Sequence, residues 1–106
     1  MITVTITPRA GDNLYSLLKR KELSLRRKKQ GTLHASGPRR LGKEKWSHSS
    51  YKGWIQFQQC LGGVLVAQVQ SRDADSEWQL LSSFVGFLDR HFRADISSIS
   101  LTYVTK

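Results

Sequence analysis

Apolar and polar residues alternate strictly from Ile2 to Thr7, with Ile2, Val4 and Ile6 on one side and Thr3, Thr5 and Thr7 on the other. A period of two over β-branched residues predicts a half-buried strand. Pro8 ends it, because proline has no N–H to give a ladder. The period then changes. Asp12 or Asn13 suits a helix N-terminus, and Leu14, Leu17, Leu18 and Leu25 fall on one helical stripe. Lys21 stands where that stripe needs another apolar side chain, so the helix is placed at 12–22, fraying on to Lys28, with Gly31 as its stop.

Alternation returns in "WIQFQQ" (54–59) and "VLVAQVQ" (64–70), which turn Ile55, Phe57, Leu65, Ala67 and Val69 inward. Leu61-Gly62-Gly63 between them reads as a tight turn, since glycine tolerates positive φ. The stretch "DADSEWQLLSSFVGFLDRHF" (73–92) carries the strongest helical pattern, with Leu81, Phe84, Val85, Leu88 and Phe92 on one face. Ser76 with Gln79 fits a capping box, and Asp73 and Asp75 suit the positive end of the helix dipole. A last alternating run, "ISSISLTYV", turns Ile99, Leu101 and Tyr103 inward.

Residues 30–50 show no period and contain Gly31, Gly37, Pro38 and Gly42. The element order is therefore β-α-(long insertion)-β-β-α-β. It predicts a single α+β domain over residues 1–106, a two-layer α/β sandwich. The order resembles the ferredoxin-like plan, with a long insertion between the first helix and the second strand. Residues 23–50 are expected to form that insertion and to be flexible. A structureless segment of this length is unusual inside a compact domain. The other form open to it is a poor hairpin of "GTLHAS" and "KEKWSHS" about Gly37–Gly42.

Charge sharpens the picture. The chain carries a formal net charge of +9. Residues 1–53 hold thirteen Lys/Arg against three Asp/Glu, a balance of +10, and residues 54–106 hold four against five, a balance of −1. Such asymmetry points to an anionic partner for the first half. The chain has no apolar run of membrane-spanning length and does not open on a secretory signal pattern, so a cytoplasmic protein without a membrane role is expected. The single cysteine, Cys60, cannot form an internal disulfide, and a packing role is expected for it.

The chemistry-bearing motifs are few. Gly37 to Lys43, "GPRRLGK", has the spacing of a phosphate-binding loop, but Glu44 follows where a Ser or Thr would hold Mg²⁺. His34, His48 and His91 share no metal-ligand spacing, and His91 lies at a helix end that favours a cation. No nucleophile–base set can be assembled. No catalytic residue, metal or cofactor is expected, and the chain is not read as an enzyme.

What remains is the basic stretch. From Lys19 to Lys52 there are twelve Lys/Arg and two Glu, followed or interleaved by aromatics. Lys and Arg neutralise phosphates, and aromatic faces stack on unpaired bases. Arg26, Arg27, Lys28, Lys29, Arg39, Arg40, Lys43 and Lys45 are the candidate phosphate contacts, with Trp46, Tyr51 and Trp54 as stacking candidates. The expected partner is RNA or DNA, bound largely without sequence specificity. No RNP1-like string is present, so a standard RNA-recognition motif is not expected. One further feature is the sheet face away from the helices. Thr3, Thr5, Thr7, Trp54, Gln56, Gln58, Val66, Gln68, Gln70, Ser98, Ser100 and Thr102 make it polar and uncharged. The alternative to nucleic-acid binding is a protein-interaction or homodimeric module that uses this face.

Overall fold

The computed structural model describes residues 1–9, 13–37 and 42–104. Six strands and two α-helices follow one another as β1 (Ile2–Pro8), α1 (Leu14–Arg27), β2 (Leu33–Ala35), β3 (Lys43–His48), β4 (Trp54–Gln59), β5 (Leu65–Gln70), α2 (Ala74–Phe92) and β6 (Ile96–Tyr103). The strands form one antiparallel sheet in the order β2-β3-β4-β5-β1-β6. Both helices pack on one face of it, which makes a two-layer α+β sandwich.

The core lies between the layers. Ile2, Val4 and Ile6 of β1, Ile55 and Phe57 of β4, and Leu65, Ala67 and Val69 of β5 are all buried, as the alternation requires. From the other layer come Leu14 and Leu18 of α1 and Leu80, Leu81, Phe84, Phe87, Leu88 and Phe92 of α2. Leu80 and Phe87 widen the buried stripe of α2 beyond the positions that a single helical row picks out. Trp46 sits at the centre of an aromatic group, edge-on to Phe57 at 5.0 Å and to Phe87 at 5.3 Å.

The helix ends differ from the sequence-based reading. α1 continues to Arg27 because Glu22, not Lys21, follows Leu14 and Leu18 on the inner face. That carboxylate is tolerated in a buried place because the Arg26 Nε and the His34 Nδ1 each lie 3.4 Å from its Oε2. The helix closes with paired carbonyls: the Lys29 N–H donates to Arg26 O at 3.1 Å and the Gln30 N–H to Leu25 O at 2.8 Å. This is a Schellman closure, and Lys29, at φ 55°, holds the left-handed position that Gly usually fills. Gly31 lies beyond the closure and is not its stop. In α2 the N-cap is Asp73, whose Oδ1 accepts from the Asp75 N–H at 3.3 Å and whose Oδ2 accepts from the Ser76 hydroxyl at 2.9 Å. Ser76 therefore sits in the first turn rather than at the cap.

The basic segment forms the hairpin of β2 and β3, with Leu33 opposite His48 and Ala35 opposite Trp46. Residues 23–27 belong to α1, so the expected insertion of 23–50 is divided between a helix end and two strands. Leu33 and Trp46 anchor it, because both are buried in the common core. β3 extends the sheet beyond β4, and β2 makes the edge. Cys60 is exposed at the start of the Leu61–Gly63 turn and lies outside the buried core, against the packing role expected for it. Among the described residues, no helix is long and apolar enough to cross a membrane.

Candidate nucleic-acid interface

The uncovered sheet face is fixed by register. Gln56 stands opposite Gln68 on β5 and Lys45 on β3, while Gln58 stands opposite Val66 and Lys43. Thr3 pairs with Gln68 and Thr102, and Thr5 with Val66 and Ser100. These residues share one side because directly opposed side chains in a ladder point the same way. Among the described strand positions of this face no carboxylate occurs, and Lys43 and Lys45 supply positive charge at the β3 side.

Trp54 begins β4 on this face and is part-exposed. Its position depends on Gly53, which has φ 112° and no room for a side chain: a Cβ there would lie 2.2 Å from Gln70 O and 2.9 Å from a methyl of Leu80. The backbone of β5 and the Leu80 side chain of α2 thus press directly on the residue that aims the indole. The Lys45 ammonium lies 5.1 Å from the centre of the Trp54 ring, a cation–π arrangement across diagonal positions of β3 and β4. Two depressions flank this pair. One of about 200 Å³ is lined by Lys43, Gln56, Phe57, Gln58, Val66 and Gln68. The other, of about 470 Å³, is lined by Lys52, Gly53, Trp54, Ser71, Arg72 and Asp73. They lie toward the two ends of β4, and Trp54, its first residue, lines the larger one.

The other basic candidates occupy a different place. Arg26, Arg27, Lys28 and Lys29 are exposed at the end of α1, in the helix layer. α1 starts at the end of the sheet where β1 finishes, which is the Lys43 end of β3, and it delivers its last turn beside Leu33 and His48. The four helix-end cations and Lys43 therefore lie at opposite ends of the molecule. Arg26 is drawn inward by Glu22. Arg27, Lys28, Lys29 and Lys43 have no ion-pair partner among the described residues. Arg39 and Arg40 lie outside the described residues.

Two aromatic candidates change standing. Trp46 is fully buried, so its ring is a core element and cannot stack on a base. Its strand alternates with Lys43, Lys45 and Ser47 outward, which leaves Trp46 on the helix side. Tyr51 is half-buried and stands 4.5 Å from the His48 ring in the β3–β4 turn, next to Lys52. Trp54 alone among the three stands on the open sheet. Sequence reasoning passed over Lys52 and Arg72, which line the same depression as Trp54. Their only signal was a position just before and just after strands that end at the same level.

The titratable groups near this end respond to burial. Burial holds the His48 imidazole below its ordinary value of 6.5. His91, at the end of α2, is also held below 6.5, first by burial and then by the positive charges of Lys21 and Arg90. The neutral form is thus favoured there, and the dipole preference for a cation at this helix end is outweighed. Tyr15 is pushed above its usual range by burial and by the negative charge of Glu44. Gly37 and Lys43 flank the β2–β3 connection, and Lys43 opens a strand, so the phosphate-loop spacing lacks the helix it requires. No cluster of three metal-ligating side chains occurs among the described residues. Comparison with protein-family models, with curated proteins and with solved structures gives no match.

Proposed function

We propose that the protein is a non-catalytic nucleic-acid-binding module that takes a single strand of RNA or DNA across its open sheet. The observation that carries this reading is the half-exposed Trp54 ring beside the Lys45 ammonium, on a face of Gln, Ser and Thr with no carboxylate among its described strand positions. An aromatic ring stacks on any base, and amide side chains can meet base edges without demanding one sequence. Lys43, Lys45, Lys52 and Arg72 supply phosphate contacts along β4, and Arg27, Lys28 and Lys29 extend the positive field on the helix layer.

The strand order supports the same reading at the level of the fold. We read β4-β5-β1-β6, with α1 after β1 and α2 after β5, as a ferredoxin-like arrangement. In this reading the β2–β3 hairpin is an addition that lengthens the sheet on its basic side. Sheets of that plan are known hosts for single-stranded RNA, read from their open face.

Fluorescence anisotropy tests the proposal with mixed-sequence RNA, single-stranded DNA and duplex DNA across a salt series. Single strands are expected to bind more tightly than duplex, with an affinity that falls steeply as salt rises. A Lys43→Gln/Lys45→Gln protein is expected to lower the single-strand salt slope by about 1.4, since each phosphate contact on a single strand contributes about 0.7. If no nucleic acid binds at low salt, the proposal fails and the open face is a surface for protein.

A further inference from the structure

The two edges of the sheet are built differently. β2 is three residues long and belongs to the basic side of the molecule. Short edges beside charge resist pairing with other chains. β6, at the opposite edge, has eight residues with neither proline nor charge. Leu101 and Tyr103 share the helix side of the sheet with Val4 and Ile2, their partners on β1, yet they are 42% and 65% exposed because the helices stop short of the edge.

The backbone of the same residues is open on the outer side. The Val104 N–H donates to Met1 O at 3.0 Å, in the register that sets Ile2 against Tyr103. Bonded and non-bonded pairs alternate along an antiparallel ladder. Thr102, Ser100 and Ser98 therefore turn their N–H and C=O toward β1. Ile99, Leu101 and Tyr103 turn theirs away from the sheet.

We propose that β6 pairs antiparallel with β6 of a second copy of this chain, about a two-fold axis at Leu101. Leu101 then faces its own counterpart, Ile99 faces Tyr103, and Ser100 faces Thr102. All outward backbone groups of Ile99, Leu101 and Tyr103 are satisfied at once, with apolar pairs on one face and hydroxyls on the other. A shift of one residue would oppose outward backbone groups to inward ones and lose the ladder.

Charge selects a second copy as the occupant. The excess positive charge lies with α1, β2 and β3, at the far side of the sheet from β6. Joined at β6, the two β3 strands are nine strand spacings apart, roughly 43 Å, against a Debye length of about 8 Å. Self-association through any surface nearer β3 would bring like charges together. The pairing is also closed, since only the two short β2 edges remain. The axis runs perpendicular to the sheet, so both open faces lie on the same side. The pairing itself does not depend on the nucleic-acid reading.

Sedimentation equilibrium of the whole chain, without nucleic acid, over the low-micromolar range tests the pairing. A monomer–dimer equilibrium is expected. Leu101→Lys sets two ammonium groups against each other at the axis and is expected to weaken it by about tenfold or more. The position is already part-exposed, and circular dichroism checks that the monomer is folded. In a Cys60→Ser background, Leu101→Cys is expected to form a covalent dimer on mild oxidation, because directly paired Cα atoms lie about 5.5 Å apart. Thr102→Cys, which faces Ser100 of the second copy, is expected to cross-link far more slowly. A chain that stays monomeric, a dimer that survives Leu101→Lys, or equal cross-linking at both positions overturns the proposal.

Discussion

Trp46 and Trp54 are eight residues apart and have opposite roles. The first is fully buried among Phe57, Phe84 and Phe87, and the second lies part-exposed beside Lys45. Trp46→Ala is expected to cost about 3–5 kcal/mol of stability, read from chemical denaturation. Trp54→Ala is expected to leave the denaturation midpoint nearly unchanged while weakening single-strand binding by about 1–3 kcal/mol, one stacked base. Equal loss of binding in two well-folded variants would remove the stacking assignment. Lys29 offers a second contrast. It holds a left-handed conformation at the closure of α1, where a Cβ is unfavourable. Lys29→Gly is expected to raise stability by about 1 kcal/mol and to reduce the salt slope of single-strand binding by about 0.7. A cation kept at a position suited to glycine is then explained by its contact with a phosphate.

At the level of elements, the alternation of β1, β4, β5 and β6 made the sheet legible, and the leucine and phenylalanine rows did the same for the helices. The β2–β3 hairpin was less legible for a physical reason. β3 is "KEKWSH", in which Trp46 is the single buried side chain, and β2 has only three residues. Neither supplies enough apolar positions to display a period. The end of α1 was obscured likewise, because its inner face continues through Glu22, a carboxylate made tolerable by partners that sequence spacing does not reveal. β6 carries a different lesson. Its inward positions were assigned to the correct face, but burial also needs a helix overhead, and an alternating pattern cannot report that.

The helix ends also set a pH response. His91 near the end of α2 and His48 at the end of β3 both favour the neutral ring in the folded chain. The unfolded chain therefore binds more protons as pH falls below about 6.5, the ordinary imidazole value. The stabilisation is present above that value and is lost as pH falls through the lowered folded value. Thermal midpoints are expected to decline between neutral pH and pH 5, before Asp73 and Asp89, held low by hydrogen bonds from Ser76 and Arg93, begin to protonate. His91→Gln is expected to flatten that decline in part. A midpoint constant down to the carboxylate range would show that neither ring is linked to folding.

For the whole molecule, the question is whether charge alone accounts for binding. A balance of +10 over the first half favours contact with any polyanion at low salt, whether or not it carries bases. Heparin, which is highly charged and has no bases, separates the two contributions. If the sheet is a stacking platform, Trp54→Ala loses affinity for single-stranded RNA and keeps its affinity for heparin. Arg27→Gln/Lys28→Gln, at the other layer, loses some affinity for both, with a lower salt slope in each case. Duplex DNA should behave like heparin, because its bases are already stacked and cannot reach the Trp54 ring. The opposite pattern, with Trp54→Ala silent toward every ligand and the lysine and arginine variants acting equally on all, would reduce the protein to a positively charged surface. In that case the Gln-lined sheet would need another occupant, and the strand order would have no bearing on what the molecule binds.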